Sequence, residues 1–236
     1  MKNQYILPIS IVVVGVLIAG AVLLISRGPS STSGQTGATA TLRHVDATDH
    51  IYGNPKAPVM VVEYADLECP FCKDFEATMD QLMQYYGPSG NVAWVFRNFP
   101  LTPIHSKAPI EAQAAECAAD QGGSAAFFKF IDAVYKVTPG ENNLDLTLLP
   151  KIATQIGLDG DKLQQCVSSG TNAAKVQQQY NEAMADGLQG TPHIAIFANG
   201  EPVLSLDGNQ PYSSMRDAID QTLQAIGKSA TSTTAQ

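Results

Sequence analysis

Three kinds of hydrophobic spacing divide the chain. Residues 6–25 are almost all apolar and carry no charge. About 20 helical residues rise roughly 30 Å, the thickness of a bilayer core, so residues 1–27 are expected to form an N-terminal membrane anchor built on a transmembrane helix. A cleaved signal peptide is the competing reading. The apolar run, however, continues through Ala19-Gly20-Ala21 into Val22-Leu23-Leu24-Ile25, beyond where a short signal core would end. Lys2 and Arg27 flank it almost evenly, so charge assigns little orientation. Residues 28–45 are mostly small and polar and read as a flexible linker, unable to bury enough apolar area to order themselves.

The second spacing is that of an α/β sheet. Val59–Ala65 is a near-continuous apolar run of the kind found in a central strand. Glu63 interrupts it and shares a face with Val59 and Val61 by the two-residue period. It is either a buried carboxylate under the sheet or a strand-end Glu reaching solvent. Pro70–Tyr86 reads as a helix closing at Gly87-Pro88, with a core stripe of Phe75, Met79, Leu82 and Met83. Residues 92–96 form the next strand. The third spacing is helical and fills residues 106–187, as segments 107–121 (stopping at Gly122-Gly123), 126–136, 147–156, 161–169 and 172–186. Val176, Tyr180 and Met184 mark one face of the last. Strands return at residues 193–197 and 203–206 around Asn199-Gly200, a hairpin signal. Met215, Ile219, Leu223 and Ile226 then mark a final helix. The economical reading is one sheet domain in two parts, residues 46–105 and 188–227, around an all-helical insertion at 106–187, with a disordered tail at 228–236.

Composition narrows the function. The net charge of −8 argues against a nucleic-acid surface, which needs clustered Lys and Arg. The four cysteines are Cys69, Cys72, Cys117 and Cys166. Cys69-Pro70-Phe71-Cys72 puts a proline in the first helical turn, so Cys69 should sit at a helix N-terminus with Cys72 one turn on. Free N–H groups and the helix dipole stabilise a thiolate there, and the thiolate is the nucleophile. A reactive dithiol is thus expected, against a structural disulfide, an inert buried pair or half of a zinc site. No second CxxC supports zinc, and no His/Asp/Glu cluster has the look of a metal site. Cys117 and Cys166 fall on two inserted helices. They read as a structural disulfide worth about 4 kcal/mol in the loop-entropy picture, or else as two free buried thiols. His105 and His193 read as polar edge residues, either of which could line a substrate face.

Taken together, Glu63-Tyr-Ala-Asp-Leu-Glu-Cys-Pro-Phe-Cys72, Ala114-Ala-Glu-Cys-Ala-Ala-Asp-Gln-Gly122, Gly157-Leu-Asp159 with Cys166 downstream, and Gly190-Thr191-Pro192 before the hairpin closely resemble the DsbA family of thioredoxin-fold thiol–disulfide oxidoreductases. The resemblance covers roughly residues 46–226. It implies a thioredoxin fold carrying the helical insertion, with Cys69 as the attacking thiolate and Cys72 as the resolving thiol. It further implies that Pro192 is cis against the dithiol and that Glu63 is a buried proton acceptor for Cys72. Pro70, Phe71, Thr191 and His193 would contact substrate, and Cys117–Cys166 would be the structural bridge of a subset of the family. The expected function is disulfide formation in exported proteins, through mixed disulfides with cysteine-bearing substrates. Disulfide reduction or isomerisation is the alternative, and a metal- or peptide-binding module a more distant one. No diffusible cofactor or metal is expected. The implied partner is a membrane redox protein, either a quinone-linked thiol oxidase or an electron donor, and the catalytic domain would lie outside the cytoplasm. Family members discussed as strong oxidants carry His where Phe71 stands, which weakens the expectation of oxidising power.

Overall fold

The computed structural model describes residues 42–228. The expected anchor, residues 28–41 of the expected linker and residues 229–236 of the expected tail lie outside them. Among the described residues no helix is long and apolar enough to cross a membrane.

Five strands form one sheet in the order β1-β3-β2-β4-β5: β1 His50–Gly53, β2 Val59–Ala65, β3 Val92–Asn98, β4 His193–Ala198 and β5 Glu201–Asp207. β2 and β3 run parallel, and every other neighbouring pair is antiparallel. The parallel pair is joined by α1, Pro70–Tyr86, the crossover that such strands require. The side chains of β2 divide as the two-residue period demands. Val59, Val61 and Ala65 pack with Phe75, Met79 and Leu82 of α1. Val62 and Tyr64 face the other way, toward Val95, Ala195, Phe197 and Ala183.

The insertion holds α2 Ala108–Val137, α3 Leu149–Gln155, α4 Gly160–Ser169 and α5 Ala173–Ala185. The final helix, α6 Tyr212–Ala225, buries Met215, Ile219 and Leu223. The two expected segments at 107–121 and 126–136 run together as α2, broken by non-helical backbone at Gly122 and Gly123. Gly123 has φ +65° and ψ −160°, which a side chain would strain. Asp159 caps α4 by accepting from Lys162 N at 3.0 Å, and a Cβ on Gly160 would stand 2.4 Å from Pro150 O, so glycine is required for α3 and α4 to approach.

Four expectations need correction. β1 was not anticipated; it is four residues long, at the sheet edge, and only His50 is buried. The linker ends before residue 45, because Leu42 is buried and Arg43 pairs with Asp49 at 2.7 Å and Glu182 at 3.0 Å. On α5 the buried face is Val176, Gln179 and Ala183, whereas Met184 is 50 % exposed. His105 and His193 are buried and carboxylate-paired, not edge residues.

Candidate active site

Cys69 is the N-cap of α1, extended at φ −78° and ψ 121°, and Pro70 follows in the first turn. No side-chain oxygen caps this helix. The sulfur stands where a Ser or Asp oxygen would accept the free N–H groups, and it takes bonds from the N–H of Phe71 and Cys72 when ionised. The turn before it is fixed by Asp66. Asp66 O accepts Cys69 N at 3.1 Å, while Oδ1 accepts Glu68 N at 2.8 Å. Its Oδ2 binds Leu101 N at 2.7 Å and His105 Nδ1 at 2.8 Å. His105 therefore supports the loop from below and does not line a substrate face. Glu68 holds the loop after α2, accepting Glu141 N on its carbonyl at 2.8 Å and Asn142 N on Oε2 at 2.7 Å.

The downstream half arrives from β4. The Thr191–Pro192 peptide bond is cis, and the Cys69 thiol donates to Thr191 O at 3.4 Å. His193 pairs with Tyr64 across β2 and β4, so its side chain lies on the sheet face opposite Glu63 and the dithiol. There it binds Asp207 through Nδ1 at 2.7 Å. Only its backbone lies near the groove. Phe71, by contrast, is 60 % exposed beside the sulfur. Cys117 and Cys166 are disulfide-bonded with Cα atoms 5.9 Å apart, within the helical insertion.

The two active-site sulfurs differ in chemistry. A hydrogen bond from the Cys72 thiol, joined by the two N–H groups, lowers the Cys69 thiol to about 6 against the effect of burial. Burial pushes the Cys72 thiol well above its ordinary range, and the neighbouring Cys69 and Glu63 push it further. Glu63 is fully buried beneath them. Its Oε2 accepts Trp94 Nε1 at 3.0 Å, while Oε1 has no hydrogen-bond partner among the described residues. Burial raises its carboxyl to about 8, opposed by the indole N–H and reinforced by a Cys69 thiolate. A fully buried carboxyl poised near neutrality beside a thiol is equipped to exchange a proton with it.

Sequence reasoning did not find Trp94 as the Glu63 partner, nor Glu76, a second buried carboxyl one turn beyond Cys72. The register that seats Trp94 opposite Val61 on the Glu63 face is readable only once the strands are paired.

Glu63→Gln keeps an acceptor for the indole and removes the ionisation. Between about pH 4.5 and 8 folded Glu63 retains a proton that the unfolded chain has released, so its contribution to stability falls as pH rises through that window. E63Q is therefore expected to be more stable than wild type by roughly 3 kcal/mol at pH 7 and equal to it near pH 4 in urea titrations. A gain that does not change with pH would refute this.

Comparison with known proteins agrees with the geometry. A family model described as thioredoxin matches residues 46–221. The chain is 35 % identical over 152 residues to the Na(+)/H(+) antiporter NhaA 3 of Salinispora tropica, covering 64 % of this chain and 22 % of the antiporter. The chain thus spans about a fifth of the length of the curated relatives it matches. Among solved structures, Pseudomonas aeruginosa DsbA2 superposes with a TM-score of 0.65 at 28 % identity, over 79 % of this chain and 100 % of that one. Wolbachia pipientis alpha-DsbA1 gives 0.67 at 26 % identity, over 77 % and 94 %. The chain belongs to the thioredoxin family and shares the DsbA-like fold of solved thiol–disulfide oxidoreductases.

Proposed function

We propose that this protein is a thiol–disulfide oxidoreductase that forms disulfides in exported proteins, working outside the cytoplasm from a membrane tether at residues 6–25. The observation that carries the direction is the Cys69 site itself. An N-cap sulfur bonded by Cys72 and two backbone N–H groups stabilises the thiolate, hence the reduced dithiol, and makes the disulfide form the stronger oxidant. A substrate thiolate attacks Cys69 Sγ of the Cys69–Cys72 disulfide. That S–S bond breaks, and Cys72 leaves as a thiolate and takes up a proton from Glu63. A second substrate thiolate then attacks the substrate sulfur of the mixed disulfide and expels Cys69 as its stable thiolate. The substrate leaves oxidised by two electrons, and the protein is left as the dithiol. Reoxidation falls to a membrane thiol oxidase linked to quinone. Exposed Phe71, with Pro70, Thr191 and Pro192, would form the peptide groove.

The second reading is a reductase or isomerase of the same fold, fed by a membrane electron donor. Phe71 favours it, since its ring supplies the thiolate with neither charge nor a hydrogen-bond donor.

Glutathione equilibration measures the Cys69/Cys72 reduction potential. The oxidase reading expects a value of about −120 to −180 mV, and one near or below about −270 mV would overturn it. Cys72→Ala is expected to accumulate Cys69-linked adducts with client proteins. The enzyme reading fails if none form and the protein instead carries stoichiometric metal.

A further inference from the structure

The Cys72 proton needs a way out. Glu63 receives or supplies it, yet Glu63 has no exposed surface. The sheet and α1 close over it, and its Oε1 meets no partner among the described residues. Glu76 stands one helical turn beyond Cys72 in the same seam, only 6 % exposed. Its Oε2 is likewise sealed and without a partner among the described residues. The side chain nevertheless lines a surface cavity of about 590 Å³, together with Asp80, Trp94, Phe128, Asp132 and Lys136. Trp94 is the residue whose indole binds Glu63. Two buried carboxyls, each with one oxygen lacking a partner among the described residues, one under the dithiol and one at the wall of a cavity, thus lie on either side of the same tryptophan.

We propose that Glu76 is the outer station of a proton relay, passing the Cys72 proton between Glu63 and the cavity. This rests on the thiol–disulfide exchange reading and deepens it. Glu76 does not touch the reacting sulfurs; it acts through Glu63. When Cys72 resolves a mixed disulfide, its S–H bond breaks and the proton goes to the Glu63 carboxylate. Cys72 Sγ bonds to Cys69 Sγ, and the bond from Cys69 to the partner sulfur breaks, the electron pair leaving on that sulfur. Glu63 must then shed its proton before it can accept another. A neutral Glu76 carboxyl accepts that proton on one oxygen and releases its own from the other. With electrons flowing the opposite way, the same atoms move in reverse and Cys72 is protonated from the cavity.

The groups around Glu76 suit that role. Glu63 faces it from β2, Asp80 from α1 itself, and Asp132, Lys136 and Lys129 from the second half of α2. Tyr135 stands on the same stretch, and the Trp94 indole comes from β3. Burial, then the carboxylates of Glu63, Asp80 and Asp132, keep Glu76 protonated well above the ordinary range, against the pull of Lys136. A carboxylic acid in that state can hand a proton on.

The test mixes reduced full-length protein with excess oxidised glutathione, quenches with acid, and follows the Cys69–glutathione adduct by mass. Glu76→Gln is expected to leave adduct formation unchanged and to slow adduct resolution about tenfold at pH 7, with an altered pH profile. E63Q/E76Q is expected to be no slower than E63Q alone, because the two carboxyls act in series. With Glu76→Ala, added formate entering the cavity is expected to restore the rate, which a merely structural role would not allow. Resolution by E76Q equal to wild type at every pH, or losses that multiply in the double variant, would overturn the relay. Lys136→Met changes a side chain 69 % exposed and keeps the test open should E76Q misfold. Its resolution profile is expected to move to higher pH at low ionic strength, and an unmoved profile overturns the relay. A wild-type protein that forms no adduct refutes the exchange reading itself, which separates the two failures.

Discussion

Iodoacetamide is expected to modify the reduced protein at Cys69 alone, with a rate that rises through a midpoint near pH 6. Cys69→Ser should lower total modification at pH 7 by about two to three orders of magnitude. At pH 7 a thiol titrating near 6 is roughly 90 % thiolate, whereas one held above 9 is under about 1 % ionised. Lower basicity costs Cys69 some nucleophilicity, but the population term wins. Cys72 is also fully buried, whereas Cys69 keeps 5 % of its surface exposed, so access favours the same sulfur. The same ionisation governs the reduced state's stability. Folded Cys69 titrates near 6 and its ordinary value is 9, so between them the unfolded chain binds more protons. The stabilisation is full above about pH 9 and is lost as pH falls through 6. A modification midpoint near 9, or equal labelling of both cysteines, would refute the assignment.

Arg97→Ala is expected to destabilise the protein by about 3–5 kcal/mol, much of a typical domain's margin. Arg97 is 1 % exposed. Its Nε and Nη2 grip both oxygens of Asp49 at 2.9 Å, Nη1 donates to Tyr64 Oη at 2.7 Å, and the guanidinium also reaches the carbonyls of Arg43 and His44. Removing it strands a carboxylate in the interior, with Arg43 its remaining cationic partner. The loss should appear in urea as a lowered midpoint with an unchanged slope. Arg97→Lys should recover little, because an ammonium cannot bridge two oxygens and three further acceptors in one plane. A shift under about 1 kcal/mol would mean that Asp49 finds a partner or water elsewhere.

β2, β3, β4 and the dithiol helix were legible because burial on both faces writes long apolar runs, and because Pro70 marks the start of α1; β5 was legible from the Asn199-Gly200 turn before it. β1 was not, since a short edge strand with one buried residue leaves no periodic trace. Glu63 was ambiguous because alternation names a face and not what covers it; α1 packing over that face decides the matter. The histidines were misjudged for a similar reason. The carboxylates that pair with His105 and His193, Asp66 and Asp207, lie 39 and 14 residues away in sequence. Arg97 and Glu76 were not singled out, because their neighbours in sequence say nothing of Asp49 or of the α1–sheet seam.

The strand order also imposes a schedule on biosynthesis. β2 lies at the middle of the sheet, but its partner on one side, β4, is made about 130 residues after β2 is complete, some 6–25 s at ~5–20 residues per second. For that interval a strand that ends up almost wholly buried has an open hydrogen-bonding edge, a template for mispairing with any other extended chain. Its own Cys69 sulfur meanwhile lacks the Thr191 carbonyl that it contacts in the finished fold. That β2 edge stays unpaired until residue 198 has been made.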